Sequence, residues 1–204
     1  MQRGRSEAIQ ALVADLADRG YAVAHATLPL TIIGDLRERA LALDGAGAMT
    51  RGGVGRGAAR SERGDVRGDR LAWLADQPHD APEAAAMALF EELRATCNRT
   101  LTLGLFEFES HYALFPPGTT YARHRDRFRD DDARVLSCVL YLNDDWQSGD
   151  GGALRLHLHD GDALEIPPTG GTLVAFLSEA FDHEVLPSRR TRIALTGWFR
   201  RRAP

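Results

Sequence analysis

His124 and Asp126 stand two residues apart, and on an extended segment positions i and i+2 point to the same face. An imidazole and a carboxylate placed in this way can converge on one metal ion. A third ligand has to come from elsewhere in the chain, and His183, ahead of a short apolar run and the turn Pro187–Ser188, is placed to supply it. Two neutral imidazoles and one carboxylate on one face of an octahedron suit Fe(II) and leave three positions for exogenous ligands. By itself a His-x-Asp pair is more often two solvated side chains. Arg192 shifts that balance. A hairpin turning at Pro187–Ser188 sets positions 183 and 192 opposite each other, so that Arg192 faces the same interior as His183, one strand over. A buried guanidinium needs an anion, and the remote carboxylate of a dicarboxylate that chelates the metal at its other end would meet that need.

The rest of the composition narrows the chemistry. The chain has 204 residues, 44% of them hydrophobic and 26% charged, which predicts one domain able to bury its own core. All its basic side chains are arginines, so Schiff-base, Walker-type and Ser-Lys mechanisms are excluded. A net charge of -4 argues against nucleic acid as a partner. Cys97 and Cys138, far apart, fit a reducing, cytoplasmic setting. No signal peptide and no run near the roughly 20 apolar residues of a membrane span is visible, so no membrane partner is expected.

The elements that would carry these residues divide at about residue 100. Before it, the sequence predicts three helices: Ser6 as N-cap with the stripe Ile9, Leu12, Val13 and Leu16 and a stop at Gly20; a second after Pro29 ending near Gly45; and a third from Pro82 and Glu83 to about Cys97. A short strand, Tyr21 to Ala26, follows the first helix. Residues 46–70, rich in Gly and Arg, read as a long mobile loop and a candidate lid, its downstream end fixed in the core by Trp73. From 101 to 200 the period changes to two, with strands expected at 103–115, 135–142, 153–159, 163–166, 172–177, 184–186 and 191–199. Helices first and strands after, without helical crossovers between the strands, predict an antiparallel barrel or sandwich with helices on one side.

From Arg67 to Phe199 the order RGDRLAWL, YARHRD, VLYLNDDW, GGALRL, DHEV and RIALTGWF resembles the iron- and 2-oxoglutarate-dependent prolyl 4-hydroxylases, in particular the hypoxia-type branch and its bacterial relatives. The resemblance implies a mainly β fold with a double-stranded β-helix (jelly-roll) core at 101–200, the N-terminal helices of 1–100 supporting one sheet. It implies Fe(II) held by His124, Asp126 and His183. Arg192 and Tyr141 would take the far carboxylate of 2-oxoglutarate, with Thr196 in the same pocket; Tyr121, Arg134, Trp198, Arg67 and Asp69 would stand on the substrate side. O2 is the second cosubstrate, ascorbate an accessory, and a prolyl residue of a protein or peptide the expected substrate. The chain departs from the hypoxia-type pattern at Phe115, where those enzymes carry a tyrosine, so that a cosubstrate-side hydroxyl is either lost or supplied by Tyr112.

Other signals read more plainly. His157 and His159 belong to an amphipathic strand and are expected to face solvent; Asp130, Asp131 and Asp132 make a solvated turn without the glycine and distal glutamate of a calcium loop; Arg200, Arg201 and Arg202 form a solvated tail. His25, His79 and His111 have no partner that the sequence names. Oxidative demethylation of nucleic acid predicts paired arginines six apart after the second histidine, and here Arg189, Arg190 and Arg192 are followed by Leu195, Thr196 and Trp198. A noncatalytic metal- or 2-oxoglutarate-binding sensor, and a hydroxylase of a free amino acid or other small molecule, are the alternatives to a peptide hydroxylase.

Overall fold

The computed structural model describes residues 2–53, 63–64, 66–75, 77–126 and 133–202. Residues 54–62 and 65 of the 46–70 loop that the sequence marks as a candidate lid, and the turn at 130–132, lie outside the described residues. Three helices and eleven strands follow in the order α1 (Gln2–Arg19), β1 (Tyr21–Ala24), α2 (Leu30–Gly45), β2 (Thr50–Arg51), β3 (Arg70–Trp73), α3 (Ala81–Leu101), β4 (Glu107–Phe115), β5 (Tyr121–His124), β6 (Arg134–Tyr141), β7 (Leu154–His157), β8 (Ala163–Ile166), β9 (Leu173–Leu177), β10 (His183–Val185) and β11 (Arg192–Arg200). No described helix is long and apolar enough to cross a membrane.

The helices form where periodicity and caps agree. In α1 the stripe Ile9, Leu12, Val13 and Leu16 is buried, each side chain contributing about 1.5–3 kcal/mol. Gly20 ends the helix at φ +75°, a conformation that favours glycine. Ser6 is not its cap: the helix begins at Gln2, so Ser6 sits within it. In α3, Asp80 accepts from the Glu83 N–H at 3.0 Å, and the Glu83 carboxylate accepts from the His79 N–H at 2.7 Å. With Pro82 in the first turn, this fixes where the chain turns helical.

The strands make two antiparallel sheets, one ordered β1-β9-β6-β11-β4-β3-β2 and the other β5-β10-β7-β8. Alternation along the long central strands divides the large sheet into two faces. Leu136, Cys138 and Leu140 of β6, with Ile193, Leu195 and Phe199 of β11 and Tyr112 and Leu114 of β4, pack beneath the helices. Their neighbours Val139, Tyr141, Ala194, Ala113 and Phe115 point the other way, onto Leu154, Leu156, Ile166 and Val185 of the small sheet. Two sheets closed face to face, with helices on the outer side of the larger, are a double-stranded β-helix supported on one sheet.

Three expectations are corrected here. His183 and Arg192 are not partners in a hairpin, because the chain changes sheets at Pro187–Ser188: His183 pairs with His124 and Leu156 in the small sheet, while Arg192 pairs with Phe115 in the large one. The 46–70 stretch is interrupted by β2, which pairs with β3. Trp73 does not anchor the loop in the core, since it is 55% exposed. The anchoring is done by the backbone: Arg67 bridges Tyr121, the Gly68 N–H donates to the Thr120 carbonyl, and the Ala122 N–H donates to the Val66 carbonyl.

Candidate metal and cosubstrate site

The small sheet positions the three ligand candidates. His124 ends β5 directly across from His183 in β10, and Asp126 follows two residues on, beyond the strand end. Asp126 lies 3.6 Å from His124 Nε2 through Oδ1 and 3.5 Å from His183 Nε2 through Oδ2. One ligand atom from each of the three residues falls within 4.8 Å of the others, an arrangement able to hold a metal ion. The imidazoles are oriented for it: His124 Nδ1 is 2.8 Å from the Ala122 carbonyl and His183 Nδ1 3.4 Å from that of Phe181. A proton on Nδ1, donated to the backbone, leaves the Nε2 lone pair for a cation.

Electrostatics keep the donors in their ligating forms. Burial drives His183 down to about 4, so the ring is neutral near pH 7. Burial alone would raise the Asp126 carboxyl, but the facing histidines and the Ser137 hydroxyl, donating at 2.7 Å, hold it below the usual carboxylate range. Ser137 Oγ is in turn 2.9 Å from Ser178 Oγ. A carboxylate 8% exposed is thus set by a two-hydroxyl relay that the sequence gives no reason to suspect.

A cavity opens from these residues between the sheets, and Arg192, Thr196, Trp198, Tyr121, Arg67 and Asp69 line it together with the three ligand candidates. Tyr141 and Arg134 lie outside the lining. Arg192 is 2% exposed. Its Nε donates to the Gly152 carbonyl at 2.9 Å, and no carboxylate among the described residues pairs with it. Its guanidinium sits 5.0 Å from the Tyr141 ring and 5.2 Å from that of Phe115. The Tyr141 hydroxyl is buried without a hydrogen-bond partner. A buried guanidinium without a carboxylate counter-charge among the described residues, with a buried hydroxyl beside it, fits a carboxylate. Tyr112 does not replace the hydroxyl missing at Phe115, because it points to the opposite face of the sheet and donates to Glu83 at 3.0 Å.

On the outer side Arg67 grips Asp69 through two bonds of 2.6 and 2.8 Å and lies 4.7 Å from the Tyr121 ring. Tyr121 stacks on His124 at 3.6 Å. A side chain at Gly52 would collide with both Asp69 and Arg67, so the pair occupies a notch that glycine leaves open. Arg134 covers Trp198 at 3.6 Å and donates to Glu109 at 2.8 Å. Sequence reasoning missed His111, which lines the cavity and packs against Trp73 and Trp198. Its period-two spacing to Ala113 and Phe115, which puts it on one strand face with them, was the available signal. Of the other histidines, His25 contacts the Thr172 hydroxyl at 3.1 Å, and His157 is half-buried against Glu184 at 3.1 Å rather than free in solvent.

Comparison with known proteins adds to this geometry. The model of the 2OG-Fe(II) oxygenase superfamily matches residues 110–200. Prolyl hydroxylase EGLN3 of Homo sapiens is 30% identical over 186 residues, 82% of this chain and 73% of that protein. Egl nine homolog 1 of Homo sapiens is 33% identical over 145 residues, 66% of this chain, so that the chain spans about a third of that relative's length. Among solved structures, a Pseudomonas putida prolyl-4-hydroxylase superimposes with a TM-score of 0.85 at 42% identity, over 96% of this chain and all of the other.

Proposed function

The chain belongs to the 2OG-Fe(II) oxygenase superfamily, and from that premise we propose that it is a 2-oxoglutarate-dependent dioxygenase that hydroxylates an unactivated carbon of a prolyl residue in a protein or peptide, with release of succinate and CO2. The observation that carries this reading is one cavity with two unlike ends. At one end are the three candidate metal donors; at the other is a buried guanidinium that no carboxylate among the described residues neutralises, with the buried Tyr141 hydroxyl beside it. A dicarboxylate bridging metal and arginine satisfies both.

In this reading His124, Asp126 and His183 hold Fe(II), which with 2-oxoglutarate and O2 supplies the oxidising chemistry. The protein supplies position. Arg192, which the Gly152 carbonyl keeps aimed, would orient the far carboxylate as a fork, and the Tyr141 hydroxyl would donate a hydrogen bond to the same group. Thr196 lines the pocket beside it. Phe176, Val139 and Leu154 keep water away from the reacting face. Tyr121, Trp198, Arg67 and Asp69 border the side from which a substrate enters, with Arg134 holding the Trp198 ring from behind. Prolyl specificity is supported by the Pseudomonas putida and human relatives, whose names describe prolyl hydroxylases. Residues 1–204 are read as one oxygenase domain. The two buried free cysteines suit a cytoplasmic setting, with ascorbate as an accessory reductant.

The test is oxygen-dependent conversion of 2-oxoglutarate to succinate in the presence of a library of proline-centred pentapeptides, read with mass spectrometry for products that gain one oxygen atom. Succinate formation coupled to hydroxylation of a library peptide is expected. Succinate formed with every peptide left intact points to a small-molecule substrate, and no succinate at all to a sensor.

A further inference from the structure

The inner face of the large sheet carries one polar side chain to which the proposed chemistry gives no task. His111 is 1% exposed and lines the cavity, and its Nδ1 is buried without a hydrogen-bond partner. A buried polar atom left unpaired is costly, and a leucine or methionine would fill the same space without that cost. The ring is also held: Trp73 lies 4.8 Å and Trp198 5.4 Å from it, centre to centre. The Trp198 Nε1–H, a donor only, is buried and unpartnered as well.

The surroundings say which end of the cavity His111 serves. Burial first, then the charge of Arg67, push the imidazole down to about 3; Arg134 pushes the same way, and the Asp69 and Asp126 carboxylates oppose. In the strand pairing His111 faces Thr196, four residues along β11 from Arg192, which sets it away from the guanidinium end of the cavity. The ring is therefore a neutral, fixed hydrogen-bonding group between entry and metal.

We propose that His111 is a specificity-determining residue whose Nδ1 is completed by a main-chain polar group of the bound substrate, beside the Trp198 indole. The assignment rests on the peptide-hydroxylase reading. It accounts for a histidine at a position where packing asks only for an apolar side chain, and it makes the substrate a chain with amide groups flanking the oxidised carbon.

The experiment uses the full chain with Fe(II) and the library peptide that wild-type protein hydroxylates most efficiently. His111→Leu should raise KM for that peptide about tenfold, the effect of one hydrogen bond, with a smaller change in kcat and in the half-saturation by 2-oxoglutarate. His111→Asn, which keeps a polar atom near the Nδ1 position, should recover most of the loss. Should His111→Leu fail to fold, 15N-histidine spectra of wild-type protein loaded with Zn(II) and 2-oxoglutarate give the same answer, since the His111 Nδ1 resonance should move when peptide is added. An unaltered peptide KM in His111→Leu, an equal loss in His111→Asn, or an Nδ1 resonance that ignores peptide would overturn the assignment alone. Wild-type protein that forms succinate but leaves every library peptide intact would overturn the peptide reading and this assignment together.

Discussion

Single side chains at this site are set by what stands behind them. Asp126 takes the Ser137 hydroxyl on one oxygen and faces both imidazoles, so Asp126→Asn keeps the shape but removes the charge that a dication needs. Fe(II) affinity, measured by anaerobic titration, should fall more than about a hundredfold while the thermal midpoint of the metal-free protein changes little. Arg192→Lys keeps a charge and loses the planar fork. Half-saturation by 2-oxoglutarate should rise on the order of ten- to a hundredfold, with metal binding intact. His111 and His183 are both held neutral by burial, down to about 3 and about 4. Between those values and the ordinary 6.5 the unfolded chain binds more protons than the folded one, so stability present near pH 7 is lost as pH falls. Each ring adds a slope of up to about 1.4 kcal/mol per pH unit. Urea unfolding of metal-free protein between pH 6.5 and pH 4.5 should show this, and His111→Leu should remove one ring's share. That His124, Asp126 and His183 come together as a group able to hold a metal was legible in the sequence, because their types and spacing carry the chemistry. His111 was not, because Trp73 and Trp198, which define its place, arrive from other strands.

The elements explain how so few residues stay in register. Strands β5 and β10 are short, and their pairing shifts between His183 and Val185. On the outer side of the same pair, Arg123 and Arg125, which flank His124, both grip Asp182, which precedes His183, at 2.9 and 2.8 Å. The clamp ties the two ligand strands together next to the ligands themselves. Because its arginines are about half exposed, salt should screen it. Asp182→Asn is expected to weaken Fe(II) binding severalfold at low ionic strength and much less at high salt, which titration at two salt concentrations would check. The turn Gly151–Gly152 does for Arg192 what the clamp does for the histidines. Gly152 has φ +71°, and a side chain there would press on Ser188 and Trp146 and touch Arg192, while its carbonyl fixes the guanidinium. Gly152→Ala should therefore raise the half-saturation by 2-oxoglutarate without changing a group that touches it. The positions of β1, β4 and β6 to β11 were legible in the sequence, whereas the short β2, β3 and β5 and all strand partners were not. A turn at Pro187–Ser188 serves a hairpin and a change of sheet equally well, and what separates them is the pairing of β11 with β4 and β6 far upstream.

At the scale of the molecule, the large sheet has one face given to helices and the other to the cavity, so stability and function draw on opposite sides of the same strands. Leucines under α1 to α3 can be altered with a cost of about 2–5 kcal/mol per Leu→Ala change, while the cavity face keeps its polar groups buried against its own advantage. Ligands should return that cost. With Fe(II) and 2-oxoglutarate together at about a hundred times their dissociation constants, the folded state gains about 2.7 kcal/mol or more per site, or a rise of several degrees in the melting midpoint. The helix-then-strand order that predicts this architecture is a global property of the pattern and survives local errors such as Ser6 and Trp73. The exposed Trp73 has one last consequence. The chain has three tryptophans: Trp73 and Trp198 pack against His111 and, 6.5 Å apart, against each other, with Trp198 in the cavity lining and Trp73 outside it, and Trp146 is hydrogen-bonded to the Gly151 carbonyl. The protein thus has a built-in optical gauge, because the dry Trp198 lines the cavity and the wet Trp73 packs against it. A peptide that settles against Trp198 should shift the emission of this pair, a signal that Trp73→Phe and Trp198→Phe should each reduce and that needs no attached dye.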